Sequence, residues 1–91
     1  MGRVWVEFTQ SSRKHRIGRE RMRHVLANPV TRIPFPTEDG RAPREMFLGV
    51  DDTGRRLEVM VVLETERLVV IHAMDMRANS NWNLKGGNDR E

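Results

Sequence analysis

The chain has 91 residues, a formal net charge of +3, 32% charged residues and no cysteine. At this length folding buries only about 60 to 65% of the surface the unfolded chain exposes, which leaves room for one domain with one small, mainly aliphatic core. The lack of cysteine excludes a disulfide framework and a zinc-thiolate centre, and the longest apolar run, VMVVL at 59–63, is far shorter than the ~20 residues of a membrane helix. The expected setting is therefore a reducing cytoplasm, with no membrane segment and no signal-peptide core. The positive charge is local: residues 13–24 carry six Lys or Arg against one Glu, so the rest of the chain sums to −2. A patch of this kind is either a solvated helix face or a surface that gathers phosphate-bearing partners.

In chain order, RVWVEFT at 3–9 alternates Val4, Val6 and Phe8 with Arg3, Trp5 and Glu7, the period of a strand. Ser11 and Ser12 offer an N-cap for a short helical turn through RKHR, interrupted at Ile17 and Gly18. Gly18 either breaks the helix or starts the next one. From Arg19, the residues Met22, Val25 and Leu26 share one helical face, with Arg19 and Arg23 on another. Pro29 ends that helix at Asn28. VTRIPF at 30–35 reads as a short strand that Pro34 and Pro36 confine to an edge or a loop, and PTEDGRAPR as an exposed loop. EMFLGV and RRLEVMVVLE flank the turn sequence DDTG and suggest a hairpin. In RLVVIHAMDMR, Leu68, Val70, His72 and Met74 alternate with Val69, Ile71 and Ala73, so the strand is expected to be central or covered on both sides. The expected architecture is α+β: an N-terminal strand, one or two short helices, then a three- or four-stranded, mostly antiparallel sheet. It occupies residues 1–77, and 78–91 forms a tail that is mobile or ordered by a partner.

The three histidines, at 15, 24 and 72, do not form a zinc-binding pattern, and no phosphate-binding glycine loop, nucleophile elbow or Ser–His–Asp order is present. No metal and no cofactor is expected. The chemistry left needs only cations and a proton carrier. RNA can be cleaved by its own 2′-hydroxyl when a base takes the hydroxyl proton, an acid protonates the leaving oxygen and cations stabilise the crowded phosphate. His15, between Lys14 and Arg16, has suitable company for the proton carrier; equally, it can end the first helical turn and pack on the sheet. His72 reads either as a core histidine or as a supporting group. Glu58 lies on the strand face opposite Leu57 and Val59, where it is a base, an orienter or an ordinary exposed carboxylate. Arg77, past the last strand, can reach a phosphate, with Asp75 to orient it; surface ion pairing is the alternative for both.

RKHRIGRERMRHVLANP resembles the Lys-His-Gly segment, with its closing Asn/Asp-Pro, of the BrnT-like branch of the RelE/ParE toxin superfamily. FLGVDDTGRRLEVMVVLETERLVVIHAMDMR is similar to that branch's strand pattern, in which a strand ends in Gly, a D-x-x-G turn follows, and two apolar strands end in a basic residue. The positions that match individually are Lys14, His15, Asn28–Pro29, Gly49, Gly54 and Arg77. The resemblance implies a RelE/ParE/BrnT-like fold and the toxin of a type II toxin–antitoxin system, inhibiting translation as a metal-independent endoribonuclease. It also implies mRNA as substrate, free or on the ribosome, and a cognate antitoxin, often with a ribbon-helix-helix half. Lys14, His15 and Arg77 would then be catalytic, with Arg13, Arg16, Arg19 and Arg23 binding phosphate and Glu58, His72 and Asp75 in support. Two departures stand out: Arg16 occupies the place of the branch's Gly, displaced here to Gly18, and SNWNLKGGNDRE replaces its Arg- and Glu-rich C-terminal helix, leaving Trp82 to dock on the core or on a partner. The alternatives are a ParE-like toxin that inhibits a protein target without cleaving RNA, and a basic nucleic-acid-binding module.

Overall fold

The computed structural model describes residues 5–76. Arg3, Val4, Arg77 and the expected tail at 78–91, Trp82 included, lie outside the described residues. The elements are β1 (Trp5–Phe8), a single 3-10 turn (Ser11–Arg13), α1 (Arg19–Ala27), β2 (Thr31–Phe35), β3 (Arg44–Val50), β4 (Arg56–Glu64) and β5 (Arg67–Asp75). The class is α+β, and the described residues form one α-helix on a five-stranded mixed sheet in the order β1-β5-β4-β3-β2. The sheet is wider than the expected three or four strands because β1 returns to lie parallel to β5, pairing Val6 with Leu68 and Phe8 with Val70. All other neighbours are antiparallel.

β2 is an edge strand, where Pro34 opposite Glu45 needs no outward amide partner. The DDTG sequence closes the β3–β4 hairpin: the Gly54 amide donates to Asp51 O at 3.1 Å, and Gly54 takes the left-handed φ of +89° that favours glycine. Gly18 and Asn28 are the N- and C-caps of helix α1, and Asn28 Nδ2 donates to His24 O at 3.1 Å. The expected serine cap is not formed. Gln10 caps the 3-10 turn without a side-chain bond, while Ser11 Oγ donates to Ile71 O and Ser12 Oγ to Thr9 O.

Met22 and Val25 of α1 are fully buried against Phe47, Leu57, Val59, Val61 and Val70. Burying side chains of this kind is worth about 1.5–3 kcal/mol each, which makes this one cluster the main source of stability. Helix and sheet approach closely at Gly49, where an added Cβ would stand 3.2 Å from Val25 Cγ1 and 3.3 Å from Asn28 O. Backbone cannot yield there cheaply, so Gly49→Ala is expected to destabilise the fold by about 1–3 kcal/mol in chemical denaturation, with an unchanged m-value.

β5 departs from the simple alternation of its sequence. Met60 is opposite His72 and Val61 is opposite Val70, so Ile71 is an extra residue in β5, a bulge. Leu68 and Val70 therefore share the helix-covered face with Ala73 and Asp75, not with His72 and Met74. His72 is carried to the other face, beside Met60 and Glu58. β5 lies between β1 and β4, so it is the central strand that one of the two expected alternatives described, while among the described residues no helix covers its second face.

Candidate functional site

The end of β1 and the bulge of β5 build the site together. β1 stops at Phe8, leaving β5 carbonyls without a strand partner beyond it. Thr9 fills that role with its amide (3.1 Å) and its hydroxyl (2.8 Å), both donating to Val70 O, and Ser11 Oγ donates to Ile71 O at 2.9 Å. The 3-10 turn is thereby laid along β5 at the bulge. The chain then reverses through Arg16, which takes a left-handed φ of +61° and donates its amide to Arg13 O. His15 projects from this reversal toward the second sheet face. Its ring stands edge-to-face with that of His72, centroids 5.8 Å apart.

Glu58, on β4, completes the group. Its Oε2 lies 3.0 Å from His72 Nε2, and both side chains are partly buried, at 23% and 34% exposure, so His72 is a held surface histidine and not a core one. His15 is exposed and does not pack into the core. Three residues distant in sequence, His15, Glu58 and His72, thus converge at one place.

The cations nearest His15 in the sequence are not neutralised by carboxylates among the described residues. Arg13, Lys14 and Arg16 enter no ion pair among the described residues. By contrast Arg32 is held by Glu45, Arg41 by Asp39, and Arg67 by Glu7 and Glu64. Arg13, Arg16, Arg19 and Arg21 line one shallow concavity with Gly18 and the carboxylate of Glu20, where α1 begins. Arg19 leans over the Phe8 ring at 5.8 Å. Uncompensated positive charge on a rigid scaffold attracts anions such as phosphate.

Other expected members are placed elsewhere. Asp75 lies on the helix-covered face, where its carboxylate meets Arg21 at 3.4 Å and Arg55 at 3.6 Å, so it does not support the histidines. Arg23 stacks on Phe8 at 5.1 Å and pairs with Glu20, away from the His15–His72 contact. Arg77 is outside the described residues, as noted above. Among the described residues no group of three His, Cys, Asp or Glu side chains is arranged to hold a metal ion, and no helix is long and apolar enough to cross a membrane.

Sequence reasoning missed the Arg21–Asp51 pair. The Asp51 side chain is fully buried and accepts hydrogen bonds from Arg21 Nε, the Thr53 hydroxyl and the amides of Thr53 and Arg55. Burial works to raise the Asp51 carboxyl. The bonds from the Thr53 hydroxyl, the Arg55 amide, Arg21 and the Thr53 amide outweigh it and hold the group well below the usual carboxylate range. The pair ties α1 to the β3–β4 turn and so fixes the helix that the basic segment leads into. The sequence marks Asp51 as a turn former, and nothing in DDTG signals that it is buried.

Compared with models of known families, with curated proteins and with solved structures, the chain matches none. What it can do is therefore argued from the site.

Proposed function

We propose that this protein is a metal-independent endoribonuclease that acts in the cytoplasm as the toxin of a type II toxin–antitoxin pair. The observation that carries the nuclease reading is the 5.8 Å approach of the His15 and His72 rings, with Glu58 bonded to His72 and with Arg13, Lys14 and Arg16 in no ion pair among the described residues. Edge-to-face rings at that separation are close to contact, so a phosphodiester would be met at their shared outer edge, with a nitrogen of each ring brought to hydrogen-bond reach, ~2.6–3.2 Å. Neutral His15 takes the proton of a 2′-hydroxyl. The 2′-oxygen attacks phosphorus, the bond from phosphorus to the 5′-oxygen breaks, and protonated His72 gives its proton to that leaving oxygen. The products are a 2′,3′-cyclic phosphate and a 5′-hydroxyl. Glu58 orients His72 and balances the charge of its protonated form, while Lys14 and Arg16 face the charge that develops on the phosphate. The toxin role rests on the resemblance of residues 11–77, which also supplies the expectation of a short antitoxin, of ribbon-helix-helix type, covering the basic surface.

Arg16 offers a clean test of the phosphate contact. Its left-handed φ suits glycine, so Arg16→Gly removes the guanidinium without straining the reversal. The variant is expected to keep its stability, to bind RNA more weakly whatever the sequence, and to lower the salt slope of binding by about 1.

The biological reading is tested by inducible expression in bacteria of wild type and of the His15→Ala/His72→Ala double variant at equal protein level. Growth arrest with broken RNA, abolished in the variant, is the expected result. Arrest with intact RNA would favour a toxin that inhibits a protein target, and no arrest a binding module.

A further inference from the structure

The second sheet face continues past the histidines into a concavity of about 620 Å³ between β4 and the β2–β3 connection. Its floor is Phe35, Met60 and Val62, and Arg44 stands at its side. The register fixes its place relative to the histidines: Met60 is directly opposite His72, and Val62 is opposite Arg44, which in turn is opposite Phe35. The floor therefore begins about one strand spacing, ~4.8 Å, from His72 and runs ~7 Å farther along β4. Phe35 is 43% exposed. Arg44 enters no ion pair among the described residues, unlike its neighbours Arg41 and Glu64, which Asp39 and Arg67 neutralise.

We infer that this concavity is a nucleobase subsite that makes the protein select single-stranded RNA, seating a base of the strand on Phe35 and Met60 while Arg44 meets the adjoining phosphate. The inference rests on the nuclease reading for the choice of RNA and goes beyond it in naming where a base is held. The chemistry fits a flat apolar ligand that carries negative charge on one side. An aromatic face and a thioether supply stacking and dispersion without selecting a particular base, and the Arg44 guanidinium supplies charge complementarity. A paired duplex cannot present a base to this floor, because its bases are stacked inside the helix.

The test is fluorescence anisotropy with a labelled short RNA bearing 2′-O-methyl groups throughout, so that no 2′-hydroxyl can attack. The same backbone with abasic sites, and the duplex form, serve as comparison. Phe35→Ala is expected to weaken binding of the single strand by roughly 5- to 150-fold and to leave the abasic strand unaffected. Phe35→Tyr, which keeps a stacking ring, restores wild-type affinity and guards against a folding artefact. Arg44→Ala weakens both strands alike. The inference is overturned if Phe35→Ala binds the single strand as wild type does, if wild type binds the abasic strand or the duplex as tightly as the single strand, or if it binds none of them. It is equally overturned if Phe35→Ala converts a dimer to a monomer at unchanged RNA affinity, which would make the concavity a contact between copies. Because the probe cannot be cleaved, a protein that binds it through Phe35 yet cleaves no RNA retains this subsite and loses the nuclease reading. Cleavage that ignores Phe35 does the reverse.

Discussion

Replacing His72 with alanine is expected to slow RNA cleavage by about 10²- to 10⁴-fold, the range over which a positioned general acid contributes. His15→Ala is expected to fall in the same range. The double variant should be only slightly slower than either single one, because acid and base act on one transition state and their losses do not add. The loss belongs in kcat, since neither imidazole is needed to hold the strand while Arg13, Lys14 and Arg16 remain. Glu58→Gln keeps a hydrogen-bonding group near His72 Nε2 but removes the charge, and should lower kcat less than His72→Ala does. Folding is not at stake in these variants. His15 is exposed and neither histidine belongs to the core, so His15→Ala should stay within about 0.5 kcal/mol of wild type, while His72→Ala, which loses the hydrogen bond to Glu58, should cost about 0.5–1.5 kcal/mol. Single-turnover cleavage together with denaturant titration separates the two effects.

Asp51→Ala is expected to act in the opposite way, on stability first. It removes the acceptor of four hydrogen bonds at a fully buried carboxylate and leaves the Arg21 guanidinium, 22% exposed, without its closest partner. Breaking such a pair from one side costs about 3 kcal/mol at the lower end of its usual range, because Arg21 retains some water and the weaker contact to Asp75. For a domain of this size that corresponds to a fall in Tm of ~12–24 °C. The pH dependence carries the same signature. The folded Asp51 carboxyl lies below the unfolded value of about 3.9, so its contribution is complete above ~pH 5 and is lost as pH falls through the carboxylate range toward the folded value. Wild type should therefore lose stability on acidification more steeply than Asp51→Ala, as measured by urea titrations at a series of pH values.

Features with local causes were legible in the sequence. The β3–β4 hairpin follows from DDTG, the edge position of β2 from its prolines, the end of α1 from Asn28–Pro29, and the face of Glu58 from simple alternation with Leu57 and Val59. The features that make the site were not, for physical reasons. VVIHAM is apolar at nearly every position, so a one-residue bulge at Ile71 leaves no mark on the pattern, yet it decides whether His72 enters the core or meets His15. The parallel pairing of β1 with β5 joins segments at opposite ends of the chain, and only that pairing brings the 3-10 turn to the bulge. The residue types of the site could be chosen from the sequence. Their convergence could not, and Asp75, chosen as support, proved to serve the Arg21 network on the other face.

The central claim, that His15 and His72 form an acid–base pair acting on RNA through its own 2′-hydroxyl, is tested most directly by the products of the purified protein acting on a short RNA in excess chelator. The expected result is cleavage to 2′,3′-cyclic phosphate and 5′-hydroxyl ends, absent when the nucleotide before the cleaved bond is 2′-deoxy and absent with His15→Ala/His72→Ala. Cleavage that needs a divalent metal, that leaves 5′-phosphate ends, or that survives the double substitution would contradict it, as would intact RNA.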